Sequence, residues 1–498
     1  MSYFYFSYSL VFLPIVMLIY QLCPKRFRYL VILFVNYMFF FTISGALIIY
    51  LIGTTIVSYI TAFTVDKVVR RGKYKGKKLT KLKRIILWTG ISFNVAALVL
   101  LKYVKVFGIG TSWIAPIGIS YYTLQAISYM TDIYRGTIKF DKNIIKLALF
   151  LSFFPQIMEG PISRYNQVAD SLYAGNAITY KGLTFGYQRI VWGLFKKILI
   201  ADRLAPIVAK IFENYMSVSG AAILIGAISF TIQLYMEFSG CMDIVIGTGM
   251  VFNVKLPENF RQPFFAKSAS EFWRRWHITL GAWLKDYVFY PISLAKPVKK
   301  ISKHFKKSFG NSVSKYVAPT VALFFVWLGN GVWHGPKSNY LFYGLFYFCI
   351  IFFETITESS VITFAKSHNI NRESNGYKAF QITKLLCIVV IGEMFFRAQS
   401  IYDGVCMFFR IILDFNIKEI PSTNFGVDVY DIIMAIFFSL IVLFVDIIKE
   451  KNINICDKIN SFRLPVRWTI WYTVILLILI FGAYGKGYSI VDMIYAAY

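Results

Sequence analysis

Long apolar runs separated by short, mostly basic stretches set the frame of this chain. Runs near 8–22, 29–43, 46–63 and 85–106 approach the roughly 20 residues that carry a helix across a bilayer. The next stretch, 113–133, is interrupted by Pro116 and Gly118 and reads as re-entrant. Residues 144–158 run into Phe153-Phe-Pro-Gln-Ile-Met-Glu-Gly-Pro, where two prolines and a glycine stop a helix near Glu159 and Arg164. From 183 to 213, Arg189, Lys196, Lys197, Asp202 and Arg203 recur at helical spacing, which predicts a tilted or surface-riding helix. A span is predicted over 219–238. Between 272 and 287 the bulky residues Phe272, Trp276, Leu280, Trp283 and Tyr287 fall three or four apart, an amphipathic helix suited to an interface or a re-entrant wedge. The apolar run Val317 to Val332 is punctured by Gly329 and Gly331 around Asn330, with Gly335 just beyond, so a helix is expected to break there. Spans follow at 339–357, 379–397, 430–447 and 467–483, with a weaker amphipathic piece at 401–414. The pattern predicts an all-α polytopic membrane protein of about eleven spans plus re-entrant or interfacial helices. It forms one domain, 1–498, with no internal repeat and no appended soluble part.

Composition agrees. With 57% hydrophobic, 18% aromatic and only 16% charged residues, the chain is too apolar for a soluble globule. A net charge of +28 would suggest nucleic acid in a soluble protein, but the basic residues here cluster between apolar spans. That is the positive-inside signature, so a lipid bilayer and not a nucleic acid is the expected partner. Lys25, Arg26 and Arg28 follow the first run, and ten Lys and Arg residues lie between Lys67 and Arg84. Parity from both clusters puts the N-terminus outside. The later clusters, including Lys296 to Lys307 and Lys449 to Arg467, put the last span's exit and the tail 484–498 outside as well. The N-terminus has no basic n-region or small-residue cleavage site, so the first span is expected to be retained. The six cysteines show no metal or disulfide spacing, and no metal site is expected.

Chemistry concentrates in two apolar passages. Of four histidines, His277 lies in Glu271-Phe-Trp-Arg-Arg-Trp-His-Ile-Thr-Leu280 and His334 in Trp327-Leu-Gly-Asn-Gly-Val-Trp-His-Gly335, whereas His304 and His368 read as solvated loop residues. Irregular backbone at membrane depth is tolerated where it lines a cavity, and an imidazole there can exchange a proton near neutral pH. A structural histidine bonded to a helix-end carbonyl is the plain alternative. Glu237 and Asp243 sit in an apolar segment and need partners, for which Arg261, Arg274 and Arg275 are the candidates. There is no GxSxG, P-loop or HExxH signature. These residues suit either an enzyme with chemistry at the centre of a membrane path or a transporter with broken helices.

The combination Phe154-Pro-Gln…Gly160-Pro-Ile, Met236-Glu-Phe-Ser-Gly…Asp243, Pro257-Glu-Asn-Phe-Arg-Gln-Pro-Phe264, Glu271-Phe-Trp-Arg-Arg-Trp-His277, Trp333-His-Gly335 and Phe395-Phe-Arg-Ala398 resembles the membrane-bound O-acyltransferase family over almost the whole chain. Within it the chain looks most like the bacterial branch that acetylates exported polysaccharides and is related to the teichoic acid D-alanyl transferases. The resemblance implies a central tunnel, a cytoplasmic thioester donor, acetyl-CoA or an acyl carrier, no bound cofactor, and an acceptor outside. It implies catalytic roles for His334, as general base, and His277, in positioning or in stabilising developing charge. Glu237, Asp243, Asn330, Trp333 and Arg275 become candidate tunnel-lining or supporting residues. It also implies a bacterial cytoplasmic membrane location, a separate extracellular esterase-like (SGNH) transferase as partner, and a polysaccharide acceptor. D-alanyl transfer to teichoic acid is the alternative within the family, and a polysaccharide or lipid transporter the alternative outside it. The chain's end, Met493-Ile-Tyr-Ala-Ala-Tyr498, resembles the aromatic tail of this branch, and Tyr495 is a candidate acyl relay or an interfacial anchor.

Overall fold

A computed structural model of the chain describes residues 3–103 and 116–484. The contacts of the described residues group them into two compact units, one formed by residues 3–103, 116–194 and 241–258, the other by 195–240 and 259–484. The helices, in chain order, are α1 Leu13–Leu22, α2 Arg28–Ser44, α3 Ile48–Arg70, α4 Gly76–Tyr103, α5 Ile119–Arg135, α6 Ile144–Ser152, α7 Tyr165–Tyr173, α8 Tyr180–Lys196, α9 Asp202–Glu213, α10 Gly220–Val251, α11 Ala269–Arg275, α12 Ile278–Leu284, α13 Tyr290–Ser293, α14 Lys296–His334, α15 Ser338–Ser367, α16 Asn375–Arg397, α17 Ile401–Leu413, α18 Val429–Glu450, α19 Ile455–Asn460 and α20 Leu464–Phe481. Eight stretches among the described residues are long and apolar enough to cross a membrane, and Tyr8–Leu22 is a shorter ninth. The remaining apolar stretches, α5 and α6, are short and largely buried. Large side chains such as Phe437, Leu440 and Phe444 of α18 and Leu476 and Ile480 of α20 stay exposed. Aliphatic surface in such quantity belongs in lipid, not water.

In the first unit the stretch after α6 is irregular yet buried, so its backbone needs internal partners. Asn36 supplies two: its Oδ1 accepts from Phe154 N at 3.0 Å while its Nδ2 donates to Ser152 Oγ at 3.1 Å. The Tyr3 hydroxyl donates to Phe154 O at 2.6 Å, and Ser163 Oγ donates to Gln156 Oε1 at 3.0 Å. The predicted segment 113–133 becomes helical from Ile119, and residues 113–115 lie outside the described part.

Several sequence expectations change from α8 onward. The break predicted from Gly329, Gly331 and Gly335 falls at the end of that stretch and not at Asn330. α14 runs through Gly329, Asn330 and Gly331 and ends at His334, where Gly335 takes a φ of 152°. The glycines serve close packing instead: a Cβ on Gly331 would lie 2.6 Å from the Tyr340 carbonyl of α15. Gly331→Val is therefore expected to cost about 1–3 kcal/mol through overpacking, read as a lower midpoint of thermal aggregation in detergent. The surface-riding helix over 183–213 is instead α8 and α9 joined by a π-turn, Lys197–Ala201, with Lys196, Lys197, Asp202 and Arg203 buried. The amphipathic helix over 272–287 is split, because Trp276 and His277 leave the helix and His277 takes a left-handed φ of 46°. Its freed backbone is met by the preceding segment, where Arg261 N donates to Arg275 O and Ile278 N to Asn259 O, both at 2.9 Å. His304 also differs from expectation, lying exposed on α14 and not in a loop.

Candidate active site

The helix break at His277 sets the site. Ser268 caps α11, its hydroxyl accepting from Glu271 N at 3.1 Å. The Arg275 guanidinium is held by Glu271 and Glu450 at 2.7 and 2.8 Å. With α11 so anchored, the turn at Trp276 and His277 drives the imidazole inward, to 3% exposure. Phe238 packs edge-on against it, ring centroids 4.9 Å apart.

The tautomer of His277 follows from its neighbours. Asn259 Oδ1 accepts from Thr279 N at 3.1 Å and from Thr279 Oγ1 at 2.8 Å, which identifies it as the oxygen. His277 Nδ1 lies 3.2 Å from the same atom and therefore donates to it. Burial pushes the imidazole pKa down to about 3, so the ring is neutral and Nε2 carries a lone pair. A neutral imidazole of this tautomer can accept a hydrogen bond or a proton at Nε2 but has no proton there to give to a developing anion.

The His277 side chain lines a cavity of about 330 Å³ whose walls also include Trp273, Trp327 and Asn330. Arg274 and Lys285, both exposed, also line it. Among the described residues, four of this lining also carry a buried polar atom without a hydrogen-bond partner, namely His277 Nε2, Asn330 Oδ1 and the indole nitrogens of Trp273 and Trp327. Such orphans are uncommon, since buried polar groups are nearly always paired.

His334 lies beyond Trp333. The Trp333 ring touches both imidazoles, 5.9 Å from His277 and 4.9 Å from His334 between centroids. His334 is 5% exposed and boxed by Phe396, Tyr340 and Tyr343, with the Phe396 ring edge-on at 5.0 Å. Phe396 is fixed in turn by Asn339, whose Nδ2 donates to Phe396 O at 2.9 Å and Ala398 O at 2.7 Å.

Among the sequence candidates, the structure gathers His277, Asn330, Trp333 and His334 into one neighbourhood of the second unit, with Arg275 bracing α11. The expected partners of the two acidic residues were wrong. Glu237 pairs with Lys197 at 3.4 Å, and Asp243, in the first unit, pairs with Arg189 at 2.9 Å. Arg275 is taken by Glu271 and Glu450 and Arg261 and Arg274 are exposed, whereas Lys197 and Arg189 come from other segments of the fold. Tyr495 lies outside the described residues. Sequence reasoning assigned no role to Asn259, Trp273 or Trp327. Asn259 stands in the quoted Pro-Glu-Asn-Phe-Arg-Gln-Pro motif, and both tryptophans fall within the two chemistry-bearing passages.

Residues 140–390 match the model of the membrane-bound O-acyltransferase family. The chain is 29% identical over 444 residues to a probable alginate O-acetylase of Pseudomonas syringae pv. tomato, covering 85% of this chain and 78% of that one. It is 32% identical over 300 residues to a peptidoglycan O-acetyltransferase of Helicobacter pylori, covering 53% and 54%. It is 29% identical over 256 residues to a teichoic acid D-alanyltransferase of Bacillus subtilis, covering 48% and 60%. The matched family region holds α10, α14, both buried histidines and the cavity, and the match rules in favour of the enzyme over the transporter: the chain belongs to the membrane-bound O-acyltransferase family and is a multi-pass membrane acyltransferase.

Proposed function

We propose that this acyltransferase moves an acetyl group from a cytoplasmic thioester, acetyl-CoA or an acyl carrier, to an acceptor on the outer side of a bacterial cytoplasmic membrane, for O-acetylation of an envelope or exported polysaccharide. The observation that carries the donor half is the cavity at His277, lined mostly by apolar and aromatic side chains with two exposed cations, Arg274 and Lys285, among them. Thioester carriers bear phosphate, which such cations attract. The basic run that opens α14 supports a cytoplasmic side for this region, with both termini outside.

In this reading His334 is the base. It removes the acceptor hydroxyl proton as the oxygen attacks the thioester carbon; the C–S bond then breaks, and the imidazolium returns its proton to the departing thiolate. His277, kept neutral by burial and fixed in one tautomer by Asn259, shapes the wall of the donor cavity. Trp333 spaces the two imidazoles, and Glu237, Asp243 and Arg275 hold their helices through ion pairs. A separate esterase-like transferase outside would pass the group to polysaccharide. A transient ester on the Tyr495 phenol belongs to the same reading and rests on the resemblance alone.

The test uses inverted membrane vesicles supplied with labelled acetyl-CoA. Alkali-labile label appearing on the enclosed face only when the chain is present supports the reading, and label that stays outside contradicts it. D-alanyl transfer is the second reading, favoured by the 29% identity to a teichoic acid D-alanyltransferase; it predicts transfer only from a D-alanyl thioester. In the same assay, Asn259→Ala releases His277 Nδ1 and is expected to cost at least about tenfold in rate, since loss of the correct tautomer costs other enzymes far more.

A further inference from the structure

A second hollow lies in the second unit and shares no wall with the donor cavity. It is a groove of about 530 Å³ lined by α9, α10 and α18, with Ser229, Ala435 and Ser439 among its walls, where small side chains leave room. It is open on one side: Ile228 of α10 and Ile436, Leu440 and Leu443 of α18 line it and are 42 to 57% exposed. Both α10 and α18 are long and apolar enough to cross a membrane, so that open side faces hydrocarbon and not water. Apolar hollows stay dry, and an empty one forfeits the dispersion contacts of its walls. Hydrocarbon is the filling that restores them.

Shape and charge narrow the occupant. Along α18 the lining runs from Ile432 to Asp446, about 21 Å at 1.5 Å per residue, or about two-thirds of a hydrocarbon core roughly 30 Å thick. That suits one extended chain lying along the helices. The two ends differ. At the Asp446 end the acids are engaged, for Tyr235 Oη donates to Asp446 Oδ2 at 2.8 Å and Glu450 holds Arg275 at 2.8 Å. Around them stand Arg261, which adjoins the lining residue Gln262, and Lys451, both exposed, with Lys449 half-buried. The Ile432 end carries mixed charge, Lys210 and Lys418 beside Glu419 and Asp428, all exposed. We propose that the groove binds one acyl chain of an anionic phospholipid, its headgroup phosphate at the Arg261, Lys449 and Lys451 end. Basic residues beside a membrane helix attract such headgroups. In the orientation proposed above, that end is cytoplasmic. The site stands on the membrane spans and does not need the acyl-transfer reading. Glu450, on the same helix, grips Arg275, so the lipid lies along the helix that anchors α11.

The test reconstitutes the full chain in phosphatidylcholine vesicles carrying a trace of phosphatidylglycerol with a diazirine on its acyl chain, and locates the photolabel by peptide mass spectrometry. Label is expected to concentrate on groove residues such as Ile228, Ile232, Ile436 and Leu440. Ser439→Trp fills the groove and is expected to cut this labelling at least about tenfold through overpacking. Phe437→Trp, exposed on the same helix outside the groove, is expected to leave it within about 2-fold. If Ser439→Trp fails to accumulate, Ile232→Phe on α10 decides. Arg261→Gln and Lys449→Gln should each lower the preference for this probe over a matched phosphatidylcholine probe by about 5-fold. Label spread evenly over exposed positions such as Phe437, Leu476 and Ile480, and indifferent to the groove-filling variants, overturns the site. Groove labelling equal for the two headgroups overturns the anionic assignment. A polyprenyl phosphate recovered from the groove of the purified protein in place of phospholipid, or a second copy of the chain crosslinked there, overturns the occupant.

Discussion

Lys197→Met is expected to destabilise the protein by about 3–5 kcal/mol, the cost of leaving a buried ion pair without one partner. Lys197 is fully buried on the π-turn between α8 and α9, its Nζ 2.8 Å from Asp202 Oδ1 and 3.4 Å from Glu237 Oε1. Removing the ammonium leaves two carboxylates facing each other out of water. Attraction at these distances would be worth little at a wet surface, where such pairs contribute about 0–1 kcal/mol; here water cannot screen the loss. The expected readout is a sharply lower aggregation midpoint in detergent and reduced membrane accumulation. The triple variant Lys197→Met, Asp202→Asn, Glu237→Gln removes the uncompensated charge and is expected to recover most of the midpoint. An unchanged midpoint for the single variant would show that Lys197 is not the counter-ion of this cluster.

His334→Ala is expected to lower acyl transfer by about 10²–10⁴-fold, the range for loss of a general base, while leaving membrane accumulation close to wild type. The second half follows from the packing. The imidazole sits at the end of α14 inside an aromatic box, and the helix above it is held by Gly331 against α15, not by the histidine. Initial rates in inverted vesicles at matched protein level check this. A variant that loses the protein along with the activity would mark His334 as a structural residue of the box.

The periodicities legible in the sequence were those decided locally. The long apolar runs became helices, because twenty apolar residues in a row have few alternatives in lipid, but several run well past their predicted ends, α10 to Val251 and α15 to Ser367. The pairing of His277 and His334 was legible as two motifs, and their common neighbour Trp333 stands next to one of them. What failed depends on partners distant in the chain. The glycines around Asn330 read as breakers because a glycine permits both a turn and a close helix contact, and only Tyr340, across the α14–α15 interface, decides between them. Lys196, Lys197 and Asp202 read as surface charges because Glu237 and Ser239, which bury them, lie some forty residues on. The break at His277 was hidden for the same reason: its continuous hydrophobic spacing suits a helix, and the bonds that open it come from Asn259 and Arg261.

The central claim is that this chain performs an acyl transfer that depends on His334. The most direct measurement is the O-acetyl content of purified envelope polysaccharides from cells lacking the native chain and expressing either wild type or His334→Ala, with membrane levels matched. The account predicts ester-linked acetate with the wild type and its loss with the variant. Equal acetate in both, together with equal ester-linked D-alanine, would contradict it.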